Sequence, residues 1–283
     1  MSIQNEVNVL KLAIEKLSTI TNEQWCATLN ARKRAELEFH NQHRDRQIKA
    51  VIDTDDFEKY YGNTKYYSAT ARSNDYVSSW VRSNVRGKIF LDYACGDGVR
   101  AIRAAQDGAA LAIGIDISDE SVRNANADAK AVGLDNVVFV QADAENTCLP
   151  DNSVDVILCS GMLHHLDLSY AFPELRRILK PGGRILAVEA LNCNPFIKLY
   201  RKLTKRMRTE WEATHILGLA DLDFAARFFD IKEVRFWHVV GYLGAHLPLL
   251  KGTFDSLDRF VLEKIPLVNH MAWIFTFEVR SLK

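Results

Sequence analysis

Cysteine is scarce and scattered in this chain. The five present, Cys26, Cys95, Cys148, Cys159 and Cys193, form no C-x-x-C pair, so the usual spacings of a cysteine zinc site or a disulfide framework are excluded. An excess of either charge is also missing. Lysine and arginine total 36 against 36 aspartates and glutamates, which leaves no global field to hold a polyanion such as nucleic acid. No apolar run is long enough to span a bilayer. The most apolar stretch, Val239 to Leu250, is broken by His246 and Pro248 and falls short of the roughly 20 residues a transmembrane helix needs. The first residues, Met1-Ser2-Ile3-Gln4-Asn5, lack the basic and then apolar pattern of a secretory signal, so a cytoplasmic location is expected. Internal repeats and low-complexity segments are absent as well. What these exclusions leave is a globular chain of 283 residues, enough for one large α/β domain with a helical extension.

The amino-terminal third reads as helical. Val7, Leu10, Ile14 and Leu17 recur at helical spacing, and Thr21 with Gln24 forms a capping box that opens a second helix through Trp25, Leu29 and the charged run Ala31 to Asp45. Residues 55–76 are rich in tyrosine and phenylalanine, and this prelude ends near Arg86-Gly87. From Lys88 the texture changes to short apolar runs separated by helical segments, the pattern of βαβ units around a parallel sheet. Strands are predicted at 88–93, 110–116, 136–141, 154–160 and 184–191, with two more at 230–239 and 272–280. Helices are predicted after Gly98, from Ser118, and from about Phe172, with Pro173 in the first turn, to the Lys180-Pro181-Gly182-Gly183 turn. This divides the chain into a helical cap or lid, 1–86, and a ligand-binding domain, 87–283, with a helical insertion at about 241–270. The insertion reads first as packing helices, then as a wall of an apolar pocket or a peripheral membrane contact.

The loop Leu91-Asp92-Tyr93-Ala94-Cys95-Gly96-Asp97-Gly98 lies between a predicted strand and a predicted helix. There, glycines let the backbone approach a ligand, and a helix amino terminus presents free N–H groups. Gly96-x-Gly98-x-x-Ala101 also satisfies the dinucleotide fingerprint. Charge separates the two readings. Asp92 and Asp97 place carboxylates where a pyrophosphate would sit, whereas a cationic ligand is welcome beside them. Asp116 follows Gly98 by 18 residues, at the end of the second strand, where a carboxylate can accept ribose hydroxyls.

With these residues in place, the sequence resembles the class I S-adenosylmethionine-dependent methyltransferases, in the group that acts on diverse small molecules. The resemblance runs from Lys88 to Leu191. It implies a doubly wound, mostly parallel seven-stranded sheet of order 3-2-1-4-5-7-6, with S-adenosyl-L-methionine as cofactor. It further implies that Asp92 and the backbone of Ala94, Gly96, Asp97 and Gly98 face the methionine portion of the cofactor. Asp116 would hold the ribose, Ile117 would pack on adenine, Asp143 would accept from the adenine amino group, Ala144 would offer its backbone N–H, and Ser160 would end the fourth strand beside the cofactor. Ala94 departs from the family pattern, which usually has glycine there. By the same resemblance Lys65-Tyr66-Tyr67-Ser68 looks like an aromatic lid segment, with Tyr66 or Tyr67 closing over the cofactor or packing the lid.

Methyl transfer is an in-line displacement, so positioning supplies much of the acceleration. A hydroxyl acceptor also needs its proton removed, a task suited to histidine. His164 and His165 follow the fourth strand and are base candidates or turn caps; His215 is a second candidate. Glu189 is either a partnered core carboxylate or faces the acceptor. No metal or enzyme nucleophile is needed. The expected function is methyl transfer to oxygen, or alternatively nitrogen or carbon, of a fairly apolar small molecule. The alternatives are a nicotinamide-dependent oxidoreductase, a non-catalytic scaffold, and a methyltransferase for RNA or protein, the last disfavoured by the charge balance.

Overall fold

A computed structural model of the chain describes residues 2–45, 70–204, 209–245, 247–265 and 267–283. Tyr66 and Tyr67, the expected lid residues, lie outside the described residues. Seven strands form one sheet: β1 (Ile89–Tyr93), β2 (Leu111–Asp116), β3 (Val137–Gln141), β4 (Val154–Ser160), β5 (Leu179–Ala190), β6 (Phe229–Trp237) and β7 (Ile274–Ser281). Their order is β3-β2-β1-β4-β5-β7-β6, as the resemblance implies. The first five pair in parallel and β7 runs antiparallel between β5 and β6.

Every residue of β1 and β2 is buried. Continuous burial of this kind follows from covering a parallel sheet on both faces. Alternation then sorts the side chains. Ile89, Leu91 and Tyr93 join one apolar layer with Ile113, Ile157 and Phe172. Phe90 joins the other, with Val77 and Trp80 of α4 (Ala71–Val85), Ala101 of α5 (Val99–Gln106) and Ala125 of α6 (Asp119–Ala131). Each large apolar side chain so buried contributes about 1.5–3 kcal/mol.

The amino-terminal helices pack onto this body. Val7, Leu10, Ile14 and Leu17 of α1 (Ile3–Ser18) share the apolar layer of Val140 and Leu149. The capping box of Thr21 and Gln24 is present at α2 (Asn22–Thr28). The expected single second helix is, however, two. It breaks at Leu29, which is extended, and Asn30 caps α3 (Ala31–Arg44) by accepting from the Lys33 N–H at 3.0 Å. Pro173 likewise does not sit in a first turn. The helix α7 (Leu168–Ile178) starts earlier because Asp167 accepts from the Ser169 N–H at 2.9 Å, leaving the proline inside it. Strand β5 also begins earlier than expected, running through the Lys180–Gly183 segment with a register shift opposite β4.

After β5 come α8 (Pro195–Leu203), α9 (Glu210–Thr214) and α10 (Ala220–Ala225). The insertion between β6 and β7 contains 3-10 segments and α11 (Lys251–Lys264). Buried Asp258 ties it down by accepting from the Val240 N–H at 2.7 Å and the Gly241 N–H at 3.1 Å. Leu257 and Phe260 of α11 are exposed. Among the described residues, no helix is long and apolar enough to cross a membrane.

One ring underlies the glycine loop. A Cβ on Gly98 would lie 2.6 Å from Phe139 Cε1, and a Cβ on Gly114 would lie 2.4 Å from Phe139 Cδ1 and 2.9 Å from Cys95 Sγ. Gly114→Ala is therefore expected to lower stability by about 1–3 kcal/mol, the usual cost of overpacking. Adding Phe139→Leu should restore part of the loss. Urea unfolding of the single and double variants checks both; a neutral Gly114→Ala would show that the ring is free to retreat.

Candidate functional site

The sheet reverses its winding between β1 and β4, so a crevice opens above the carboxyl ends of those strands, where ligands of open α/β sheets bind. A cavity occupies this position. Asp92, Ala94, Gly96, Asp116, Ile117, Asp143, Ala144, Ser160 and His165 all line it. Asp97 and Gly98 stand just outside: Gly98 caps α5 with a left-handed φ of 73°, and Asp97 pairs with Arg44 at 2.6 Å. Ala94, at the position where the family has glycine, also takes a left-handed φ, 60°. For a residue with a Cβ that costs about 1–2 kcal/mol.

Carboxylates dominate the floor. Asp116 uses both oxygens to shape the loops, accepting from Gly96 N–H at 2.8 Å and from Ser118 N–H at 2.9 Å. Asp143 accepts from Glu145 N–H at 2.9 Å. Asp92 is the outlier. It is 2% exposed and its Oδ2 has no hydrogen-bond partner among the described residues. Burial pushes its pKa up to about 7, against the pull of the Arg100 guanidinium and the Ala101 N–H. A buried carboxylate oxygen without a donor is costly unless something else supplies one.

Helix α3 supplies counter-charge from above. Lys33 reaches Asp143 at 2.5 Å and Glu145 at 2.8 Å, and Arg32 reaches Glu145 at 2.5 Å. Burial opposes the charge on Lys33, but the two carboxylates prevail and raise its pKa. Arg44 lies against the loop; a Cβ on Gly96 would come within 2.8 Å of its Nη2. Glu36 and His40 complete this face of α3 in the cavity wall. None of these five residues was among the expected site residues. A signal was nevertheless present: residues 31–44 contain only Leu37 and Phe39 as large apolar side chains, and a helix polar on nearly all sides needs ionic partners to stay in place.

The two adjacent histidines stand in a 3-10 turn, Leu163–His165, after β4. Glu189 of β5, 1% exposed, accepts from Met162 N–H at 2.9 Å, Leu163 N–H at 2.8 Å and His164 Nδ1 at 2.6 Å. It is thus the partnered core carboxylate of the two readings. As an acceptor it places the ring proton of His164 on Nδ1 and leaves Nε2 as the basic nitrogen, 3.9 Å from Glu212 Oε1. His165 Nδ1 lies 2.9 Å from Glu36 Oε2, and burial lowers its pKa. Burial would raise Glu36, yet a hydrogen bond from His165 and the nearby His40 imidazole hold its carboxyl far below the ordinary range. His215 stands apart from the cavity. It is exposed, stacked on the Trp211 ring at 3.6 Å between centroids, with Nδ1 2.9 Å from the Trp211 carbonyl oxygen.

Comparison with known proteins agrees with this geometry. Residues 91–187 match the family model described as a methyltransferase domain. The 27-O-demethylrifamycin SV methyltransferase of Amycolatopsis mediterranei is 39% identical over 41% of this chain and 43% of its own length. The ubiquinone biosynthesis O-methyltransferase of Neisseria meningitidis is 32% identical over 43% of this chain and 50% of its own length. The matched stretch thus spans half or less of each of these relatives. The structure of geranyl diphosphate C-methyltransferase from Streptomyces coelicolor superposes with a TM-score of 0.62 at 14% identity, covering 89% of this chain and 99% of that one. Magnesium protoporphyrin IX methyltransferase from Synechocystis gives 0.58 at 18% identity, covering 88% and 99%. At such identities these two structures speak for the fold alone. Residues 91–187 thus match a methyltransferase domain, and the strand order and loop motifs around them agree with that match.

Proposed function

We propose that the protein transfers a methyl group from S-adenosylmethionine to a hydroxyl oxygen of a small, fairly apolar molecule. The observation that carries the cofactor assignment is the buried Oδ2 of Asp92 beside the glycine loop, which has no hydrogen-bond partner among the described residues. It asks for a cationic or N–H donor and repels a pyrophosphate, which tells against a nicotinamide dinucleotide. The donor set fits the rest of such a ligand: Asp116 for ribose hydroxyls, Asp143 for an amino group on adenine, and Ile117 for the apolar face of the base. When bound, S-adenosylmethionine supplies a methyl group on a positively charged sulfur.

The chain's own residues then have distinct tasks. Gly96 allows close approach of backbone, and the strand-end carboxylates hold the ligand in one orientation. His164, whose ring lies 4.3 Å from that of the cavity-lining His165, takes the acceptor proton on Nε2. Glu189 holds the imidazole in the tautomer that leaves this nitrogen basic, and its negative charge stabilises the imidazolium that forms, the logic of a carboxylate-oriented base. One relative is named as an O-methyltransferase, which supports oxygen as the acceptor atom.

Calorimetric titration with S-adenosylhomocysteine should show binding to the wild-type protein and its loss in Asp116→Ala at an unchanged unfolding midpoint. A folded wild type that does not bind would overturn the assignment. With an acceptor found by screening hydroxylated metabolites for S-adenosylhomocysteine release, His164→Ala should lower kcat by about 10²–10⁴-fold with cofactor affinity retained.

The role of Glu189 has a readout separate from turnover. In Glu189→Gln the carboxamide oxygen can still serve the two backbone N–H groups, turning its NH2 toward His164 Nδ1. Nitrogen NMR of histidine-labelled protein should then find the His164 proton on Nδ1 in the wild type and on Nε2 in the variant. The same tautomer in both would separate Glu189 from the chemistry.

A further inference from the structure

We propose that Glu36, His40 and His165 form a binding site for a divalent transition-metal ion such as Zn²⁺, joining helix α3 to the catalytic turn across the mouth of the cofactor cavity. The ligand-capable atoms of the three lie within 4.8 Å of one another. Glu36 Oε2 is 2.9 Å from His165 Nδ1 and 3.6 Å from His40 Nε2. With metal–ligand bonds of about 2.0–2.2 Å, tetrahedral geometry needs ligand atoms roughly 3.3 Å apart, so small side-chain movements suffice.

Local structure explains why this trio converges. Glu36 and His40 are four residues apart on α3, so they project from the same face one turn apart. His165 comes from the turn after β4, which Glu189 anchors through the Met162 and Leu163 N–H groups. The other oxygen of Glu36 accepts from Thr209 Oγ1 at 2.5 Å. That outer hydrogen bond orients the carboxylate in the manner common around metal ligands. The neighbouring trio of His164, His165 and Glu212 is the poorer choice. His164 is committed to Glu189 through Nδ1, and its Nε2 stands 3.9 Å from Glu212.

Two imidazoles and one carboxylate leave coordination positions open, unlike a closed four-ligand structural site. All three ligands line the cavity, so a position left open at the metal borders that cavity. An oxygen of the acceptor can occupy it. That last assignment rests on the proposed methyltransferase reading; the metal site itself does not.

Titrating the full chain with Co²⁺ tests the site through the metal's own absorption. One equivalent should bind with the visible bands of nitrogen and oxygen ligation and without a thiolate charge-transfer band. His40→Ala, a change on a partly exposed helix position, should weaken binding at least tenfold while the metal-free unfolding midpoint stays the same. His165→Ala should do likewise, and His215→Ala, at an exposed histidine outside the cavity lining, should leave binding unchanged. No binding above a weak chelator, thiolate bands, or full affinity in His40→Ala would each overturn the proposal. S-adenosylhomocysteine binding by the metal-free protein is measured alongside, so that failure of the metal site and failure of the methyltransferase reading are told apart.

Discussion

The structure turns on the need to balance buried carboxylates at one end of a parallel sheet. Asp92, Asp116, Asp143 and Glu189 are carried to the carboxyl ends of β1, β2, β3 and β5 or just beyond them, and all are largely removed from water. Buried charge persists only when it is paired or richly hydrogen-bonded. Three of the four meet that requirement, each differently. Backbone N–H groups serve Asp116, the histidine turn serves Glu189, a lysine from α3 serves Asp143, and one oxygen of Asp92 is left over.

Helix α3 follows from this requirement. It has little apolar surface of its own, so its position over the cavity is set by Arg32, Lys33 and Arg44 against Glu145, Asp143 and Asp97. On the proposed function, Lys33 holds the oxygen of Asp143 that an adenine amino group would use. Cofactor entry and the seating of α3 are then coupled. A ligand must replace the ammonium at Asp143, and the helix that gives way also carries Glu36 and His40.

Most of the sheet was legible because parallel strands covered on both faces read as short apolar runs such as Ile89-Phe90-Leu91, and because the loop after the first run carries two glycines, one of which, Gly98, the Phe139 ring requires to lack a side chain. The strand-end aspartates were legible for the same reason: their place in the βα units fixes where they point. What escaped was set by contacts distant in sequence. Nothing near Asn30 indicates that its side chain competes successfully with a continuous helix, and nothing near Lys33 indicates a partner 110 residues away. His164 and His165 could be placed after β4, but their division of labour depends on Glu189 and Glu36, which reach them from other elements.

The central claim, that this acidic strand-end cavity receives S-adenosylmethionine beneath α3, is tested most directly by a crystal structure of the full chain with S-adenosylhomocysteine. The account predicts the ligand's ribose hydroxyls on Asp116, its amino group near Asp92, and Lys33 released from Asp143. An intact Lys33–Asp143 pair with the ligand bound elsewhere would contradict it.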